Sequence, residues 1–338
     1  MPGAQTIEVS ILLVSFNTRE LTLAALDSLR RETGAVATEV IVVDNASSDG
    51  SAQAIAAHPL GPRLVALTEN IGFGRANNLA AREARGRYLL LLNPDTVVLD
   101  TAIERLVRFA ARRPQARIWG GRTLFPDGRL NPSSCWGRIT LWNLLTRATG
   151  LTGIAPRSAL LNSEAMGGWL RDSEREVDIV SGCFLLIERS LWNELGGFDP
   201  LFFMYGEEAD LCLRARALGA RPMITPEATI VHLGGASERA RADKMVRLLA
   251  AKASLVTRHF PAPTRPVGRA LLAAWPLSRW LALTAAALVT GSEAHRATAA
   301  TWREIWSRRK EWAAGYRAPA SSRWSDRDLD LAPLAHGS

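Results

Sequence analysis

The sequence predicts an α/β fold: a doubly wound, mostly parallel sheet flanked by helices and extended at its carboxyl end by further helices. Three observations predict it. Short apolar runs alternate with amphipathic stretches through the first half of the chain, the pattern of repeated strand–helix units. One of those runs, Tyr88-Leu89-Leu90-Leu91-Leu92, is apolar at every position, as a central strand covered on both faces must be. Finally, Asn17, Asp44, Asn45, Asn70 and Asp95 fall just after the ends of successive apolar runs, and open α/β sheets bind ligands at that edge.

The elements follow in order. A strand is expected over Val9–Phe16 and a helix from about Glu20 to Glu32. A second strand, Glu39–Asp44, leads to Ser47-Ser48-Asp49-Gly50, whose side-chain oxygens can cap a following helix. Then come a strand over Arg63–Leu67, a helix over Gly74–Ala84 and the Tyr88–Leu92 strand, which Pro94 stops. The stretch Phe125–Glu176 is rich in Gly, Pro, Trp and Arg with weak periodicity and reads as irregular insertion. A strand over Ile179–Glu188, a turn at Gly196-Gly197, a helix over Glu207–Leu218 and a short strand over Thr229–His232 complete the first region. From about Ser237 the Ala, Leu and Arg spacing is helical, and the polar stretch after Ala318 reads as a loosely attached tail. The expected division is therefore 7–236, 237–317 and 318–338.

Composition narrows the class. With 47% apolar residues in 338 the chain can bury a large core, and its 22% of charged residues, without long tracts, argues against bulk disorder. The net charge of +8 suits anionic partners, which include phosphorylated substrates and phospholipid surfaces as well as nucleic acid. Cys135, Cys183 and Cys212 are widely spaced and form no CxxC pair, so reduced core thiols are expected and a zinc site is not. No basic segment precedes a signal-like apolar run, so a cytoplasmic location is expected. The apolar stretch Leu271–Val289 contains Trp275, Pro276, Arg279 and Trp280 and is flanked by Arg269 and Arg296. That predicts a helix lying on a membrane surface, with a packed hairpin as the alternative.

Five groups of residues bear chemistry. Asp95, in Asn93-Pro94-Asp95, offers a carboxylate at a rigid strand end, where a hard cation bridging two phosphates can sit. Asp44, in Val43-Asp44-Asn45-Ala46-Ser47, can accept hydrogen bonds from a base or ribose, or can serve as a turn cap. Two glycines in Asn70-Ile71-Gly72-Phe73-Gly74 precede a helix whose N-terminus favours negative charge. The motif follows the third strand and has Asn77 where a dinucleotide fingerprint needs Gly or Ala, which disfavours nicotinamide binding. Glu207, Glu208 and Asp210 open a helix; three carboxylates so close repel one another unless a cation, an Arg or a shared proton offsets them, and one of them is a candidate general base. His232, before Gly234-Gly235, can complete a metal shell begun by Asp95.

This series resembles the family 2 glycosyltransferases of GT-A fold, in particular their bacterial rhamnosyltransferase-like branch. The matching motifs run in order from Val14-Ser15-Phe16-Asn17 through the Asp44, Asn70–Gly74 and Asn93–Asp95 blocks. They continue through Ser181-Gly182, Gly196-Gly197-Phe198-Asp199, Glu207-Glu208 and His232-Leu233-Gly234-Gly235. The resemblance implies an inverting transfer of a sugar, such as rhamnose from dTDP-rhamnose or a sugar from a UDP donor, to a glycan or polyprenyl-linked acceptor in cell-surface polysaccharide synthesis.

It further implies that Ser15, Asn17, Asp44 and Asn45 line the base pocket, and that Asn70, Gly74 and Asn77 border the ribose and diphosphate. Asn93 and Asp95 then stand in the metal motif, with His232 beside a Mg2+ or Mn2+ ion. Glu208 matches the catalytic base, with Glu207 and Asp210 left open as alternatives, and Asp178, Trp192 and Asp199 are placed on the acceptor side. Two departures stand out: the metal motif has a single carboxylate, and the base is a Glu where the family has an Asp. A homo-oligomer and contact with a membrane surface are compatible with this reading, and no nucleic-acid partner is expected. The rival is a non-catalytic nucleotide-sugar or glycan-binding module on the same fold.

Overall fold

The computed structural model describes residues 6–31, 36–234 and 241–317. The first half builds a parallel sheet from β1 (Val9–Ser15), β2 (Thr38–Asp44), β3 (Arg63–Ala66) and β4 (Tyr88–Leu92), connected by α1 (Arg19–Arg31), α2 (Ser51–Ala56) and α3 (Phe73–Glu83). The edge strand β5 (Thr96–Val98), α4 (Ala102–Arg112) and β6 (Ile118–Leu124) follow. Beyond them lie the short β7 (Leu130–Asn131) and β8 (Cys135–Trp136), α5 (Leu141–Ala148), α6 (Leu151–Ile154), β9 (Arg175–Glu176) and β10 (Ile179–Val180). The sheet is completed by β11 (Phe184–Glu188) and, after α7 (Arg189–Leu195) and α8 (Glu207–Ala217), by β12 (Met223–His232). Its order is β3-β2-β1-β4-β11-β6-β12-β5, with β7 on β6 and β9 on β12.

The alternation of side chains explains why β4 is apolar throughout. Leu89 and Leu91 face a core shared with Ala76, Leu79 and Ala80 of α3 and Leu211 and Cys212 of α8. Leu90 and Leu92 face the opposite core, built with Leu26 and Leu29 of α1 and Leu106 and Phe109 of α4. The mostly parallel sheet with helices on both faces is the expected fold.

Three local expectations are corrected. The strand over Ile179–Glu188 is broken in two: β10 pairs with β8 outside the main sheet, and β11 begins only after Ser181-Gly182-Cys183. Within Phe125–Glu176 there is a genuine helix, α5, whose start is a reciprocal cap. Asn143 N donates to Thr140 Oγ1 at 3.2 Å, and Thr140 N donates to Asn143 Oδ1 at 2.9 Å. The last strand begins six residues earlier than Thr229; its register slips between Ile224 and Thr229, where Pro226 has no N–H to donate to a ladder.

The C-terminal helices α9 (Arg241–His259), α10 (Arg265–Thr290), α11 (Glu293–Ser307) and α12 (Arg309–Trp312) form a third core. Its apolar centre holds Leu249, Val256, Leu272, Trp275, Ile305 and Trp312 together with Leu144 and Ala148 of α5. The packing alternative for the apolar 271–289 stretch is realised on one side: α10 and α11 form an antiparallel hairpin, while the other side of α10 is exposed. The expected tail and the Gly235–Ser237 part of the histidine motif lie outside the described residues.

Candidate active site

Strand polarity alone brings the functional residues to one edge. β1, β2, β3 and β4 are parallel, so Ser15, Asp44 and the turn after Leu92 emerge together. β11 is antiparallel to β4, with Phe184 opposite Leu92, so Ser181-Gly182-Cys183 arrives at that same edge. β6 and β12 again run in the direction of β4, and His232 ends β12 there.

The deepest group is Asn93, Asp95 and His232. His232 Nε2 lies 3.3 Å from Asp95 Oδ1 and 3.5 Å from Asn93 Nδ2, and its Nδ1 lies 3.4 Å from Ser133 Oγ. Asp95 Oδ2 accepts from the Gly234 N–H at 3.1 Å. Burial disfavours the imidazolium, but the Asp95 carboxylate and the Cys183 thiol beside it more than offset this, and the pKa of His232 is pushed up to about 10. Burial likewise opposes the Asp95 carboxylate, yet His232 and the Gly234 N–H hold its pKa below the ordinary value. Asn93 Oδ1 is buried without a partner.

The acidic helix stands next to this group. Cys183 O accepts from Asn93 N at 3.2 Å, and a Cβ built on the adjacent Gly182 would lie 3.9 Å from Glu208 Cβ. Two consecutive residues therefore connect the Asp95–His232 pair to Glu208. Glu207 is buried, with Oε2 unpartnered; burial and the charge of Glu208 raise its pKa well above the usual carboxylate value. Glu208 is half-buried, and burial raises its pKa too, against the N–H groups of the first helical turn. Burial and their mutual repulsion thus make it costly for both carboxyls to be ionised at once.

Asp210 is different. It has no exposure and is paired with Arg214 Nε at 2.7 Å, Arg258 Nε at 2.9 Å and His259 Nε2 at 2.8 Å. Burial opposes its charge, but His259, Arg214 and Arg258 prevail and lower its pKa. A carboxylate sealed in this way cannot reach an acceptor hydroxyl, so Asp210 is removed from the candidate bases.

On the nucleotide side Asp44 is buried; Oδ2 accepts from Ser47 N at 3.1 Å, while Oδ1 has no partner. Asn17, in a left-handed conformation on the surface, takes Ser48 N on Oδ1 at 2.8 Å and donates its own N–H to Ser47 Oγ. Several expected contact residues prove to be braces instead. Ser15 is fully buried with its hydroxyl against Thr22 and Thr18. Asn45 Nδ2 donates to Asn70 Oδ1 at 3.0 Å, and the two side chains take the N–H groups of Ile71 and Gly72. Asn77 is buried and donates to Phe73 O, and Gly74 packs α3 against Phe198 and Phe202.

The helix N-terminus expected to face a diphosphate is covered from the protein side: Phe73 N donates to Phe203 O at 3.2 Å. Gly72, at φ +86°, permits this, since a Cβ there would lie 2.7 Å from Phe203 O.

The acceptor-side trio is not assembled. Trp192 is buried in edge contact with Phe198, Asp199 is paired with Arg258 at 2.6 Å, and Asp178 is held by the Arg138 N–H and by Arg216. Sequence reasoning missed the converse: Tyr316, from the far end of the chain, reaches the turn before Glu207. A lone Tyr beyond four helices gives no sequence signal for that.

Comparison with known proteins fits this arrangement. Residues 10–168 match the glycosyl transferase family 2 description. The chain is 31% identical over 251 residues to the O-antigen biosynthesis protein RfbC of Myxococcus xanthus, covering 71% of this chain but 18% of that protein. It is 30% identical over 204 residues to the N-acetylglucosaminyl-diphospho-decaprenol L-rhamnosyltransferase of Mycobacterium tuberculosis, covering 57% of this chain and 66% of that one. The chain thus spans less than two thirds of the length of these relatives. Among solved structures, the mannosyltransferase PcManGT of Pyrobaculum calidifontis, in complex with GDP-Man and Mn2+, superposes with a TM-score of 0.54 at 21% identity, over 91% of this chain and 85% of that one. That likeness is one of fold. The ordered motifs, the sheet and these relatives agree: residues 10–168 carry the glycosyl transferase family 2 match, and rhamnosyltransferases are among the proteins to which the chain is similar.

Proposed function

We propose that this protein transfers a sugar from a nucleoside-diphosphate donor, dTDP-rhamnose or a UDP-sugar, to a hydroxyl of a glycan or polyprenyl-linked acceptor, with inversion, in cell-surface polysaccharide synthesis. The observation that carries the reading is the meeting of a half-buried Glu208 with the Asn93–Asp95–His232 group at one sheet edge, two residues apart through Gly182 and Cys183. Glu208 takes the proton of the acceptor hydroxyl while its oxygen bonds to the anomeric carbon and the bond to the diphosphate oxygen breaks. Burial raises its pKa, the direction that makes a carboxylate a stronger base. The unpartnered Asp44 Oδ1 accepts a hydrogen bond from the base or ribose. His232, beside Asp95, faces the departing diphosphate.

Mg2+ or Mn2+ belongs to this reading. Asn93 Oδ1 is a buried oxygen without a partner beside the Asp95 carboxylate and His232. Such a cation usually takes one or two protein carboxylates and fills its shell with phosphate oxygens and water. Asn93, Asp95 and His232 would hold it, and it would neutralise charge on the leaving diphosphate.

The test is a panel of nucleotide sugars assayed for released nucleoside diphosphate, with and without EDTA. Acceptor-dependent release that EDTA suppresses, from at least one donor, is the expected result. Donor binding with no turnover would favour the non-catalytic module, for which the single carboxylate of the metal motif speaks.

The acceptor reading extends to an anionic membrane surface at the inner face of the cell membrane. Residues 241–317 contain fourteen Lys and Arg against four Asp and Glu, while the rest of the chain is slightly acidic. Val267, Ala270, Leu277, Leu281 and Leu288 recur at helical spacing along α10, on the side opposite its buried Leu272, Trp275 and Pro276. Leu281 is 55% and Leu288 82% exposed. A charge-free helix face set in a basic region is the pattern of an interfacial helix. The protein is expected to sediment with phosphatidylglycerol vesicles and not with phosphatidylcholine ones, and Leu281→Asp with Leu288→Asp to abolish this without lowering donor turnover. Dimerisation lost in that variant, with no vesicle binding in the parent, would assign the face to a second copy.

A further inference from the structure

We propose that Tyr316 is a positioning residue of the active site: it holds the turn that presents Glu207 and Glu208, so that the carboxyl end of the chain sets the geometry of the base. The inference rests on the reading of Glu208 as that base.

The turn needs holding. Tyr205 and Gly206, directly ahead of α8, are both left-handed, at φ +70° and +91°. Gly adopts such a conformation freely, but an aromatic residue does so only where its surroundings impose it. The surroundings come from two directions. On the cleft side, Phe203 O takes the Phe73 N–H, which fixes the start of the turn to α3. On the other side, the Tyr316 hydroxyl donates to Met204 O, and its ring meets Phe202 edge-on with centroids 5.9 Å apart. Residues of α9 add to the same side: Arg247 lies 3.8 Å from Met204 Sδ and Lys244 sits over the Tyr205 ring.

Tyr316 is itself anchored. Its N–H donates to Ser254 Oγ of α9 at 2.8 Å. The preceding Gly315 has φ +80°, and a Cβ there would lie 2.7 Å from that same Oγ, so no other residue permits the approach. Burial raises the pKa of the phenol, and the nearby Glu207 carboxyl adds to the rise. The path from Ser254 through Tyr316 to Met204 therefore ends three residues before the acidic pair. α9, which gives Ser254, also supplies Arg258 and His259 to Asp210 within α8. The first turn of α8 is thus fixed at both ends by a single helix.

The experiment uses the full chain with Tyr316→Phe, which keeps the ring and removes only the hydroxyl, and Tyr316→Ala for comparison. Three quantities are read: kcat and KM for transfer, the melting temperature, and amide hydrogen exchange over residues 204–209. The expected result for Tyr316→Phe is a kcat lower by roughly tenfold, the equivalent of one hydrogen bond. Donor KM and melting temperature should stay at parent values, with faster exchange confined to 204–209. Unchanged exchange and unchanged kcat would overturn the proposal. So would a uniform rise in exchange with a lowered melting temperature, which marks a purely structural contact. If the parent itself transfers no sugar, faster local exchange in Tyr316→Phe still supports the clamp, and only the reading of the reaction fails.

Discussion

In a Glu208→Gln variant, sugar transfer falls by roughly 10²- to 10⁴-fold while nucleotide binding is retained, because an amide keeps the shape of the side chain and cannot take a proton. The prediction follows from where Glu208 stands. It is the half-buried member of the acidic pair, at the cleft wall beside Gly182, and the unpartnered Asp44 Oδ1 that would meet the nucleotide lies on a different strand end. Glu207→Gln is the matched control. Glu207 is buried, so it is the less accessible member of the pair, and replacing its carboxyl by the amide is expected to change kcat by less than about tenfold. Isothermal titration with the nucleoside diphosphate and a coupled turnover assay give both readouts. Reversal of the two effects would make Glu207 the base; full activity in both variants would remove the acidic pair from the chemistry.

The largest effect on stability is expected at Asp210. Asp210→Asn removes the one carboxylate that Arg214, Arg258 and His259 share in a fully buried position. Removing one partner of a buried ion pair costs about 3–5 kcal/mol, and the lower end applies here because Arg258 keeps Asp199 and Arg214 keeps the carbonyls of Leu195 and Gly197.

The same cluster fixes the response to acid. The folded pKa of Asp210 is below its unfolded value, so its contribution is complete above an unfolded pKa of about 4 and is lost as pH falls through the lower folded value. Urea titrations at pH 7 and at pH 3 measure this. The gap between parent and variant should be wide at the first pH and narrower at the second. An equal gap at both would show that packing, and not charge, is what the substitution removes. A chain ended before α9 would likewise leave Asp210 without Arg258 and His259, so the catalytic sheet and the C-terminal helices are one structural unit at this point.

Much of the sheet was legible because its signals are local. Alternating apolar runs set β1, β2, β3 and β4, and the two-sided burial of Leu89 to Leu92 is written in four consecutive leucines. The break between Val180 and Phe184 was not legible, since an apolar run reads the same whether its halves pair with one strand or two. The cap that starts α5 was written in the sequence as Thr140 and Asn143, but its Asn replaces the usual acid or Gln.

The site divides in the same way. Residue type and order along the chain determined that this protein has carboxylates, amides and one histidine at the ends of successive strands, and they named Asp44, Asp95, Glu208 and His232. Which of those side chains stay open to a ligand was decided only by tertiary structure. Asn45, Asn70 and Asn77 spend their hydrogen bonds on neighbouring backbone, Asp199 and Asp210 spend their charge on Arg258, and Tyr316 enters from some hundred residues away. The physical reason is that a polar group's function depends on what remains unpaired after folding, and pairing is settled by distance in space, to which spacing along the chain is blind.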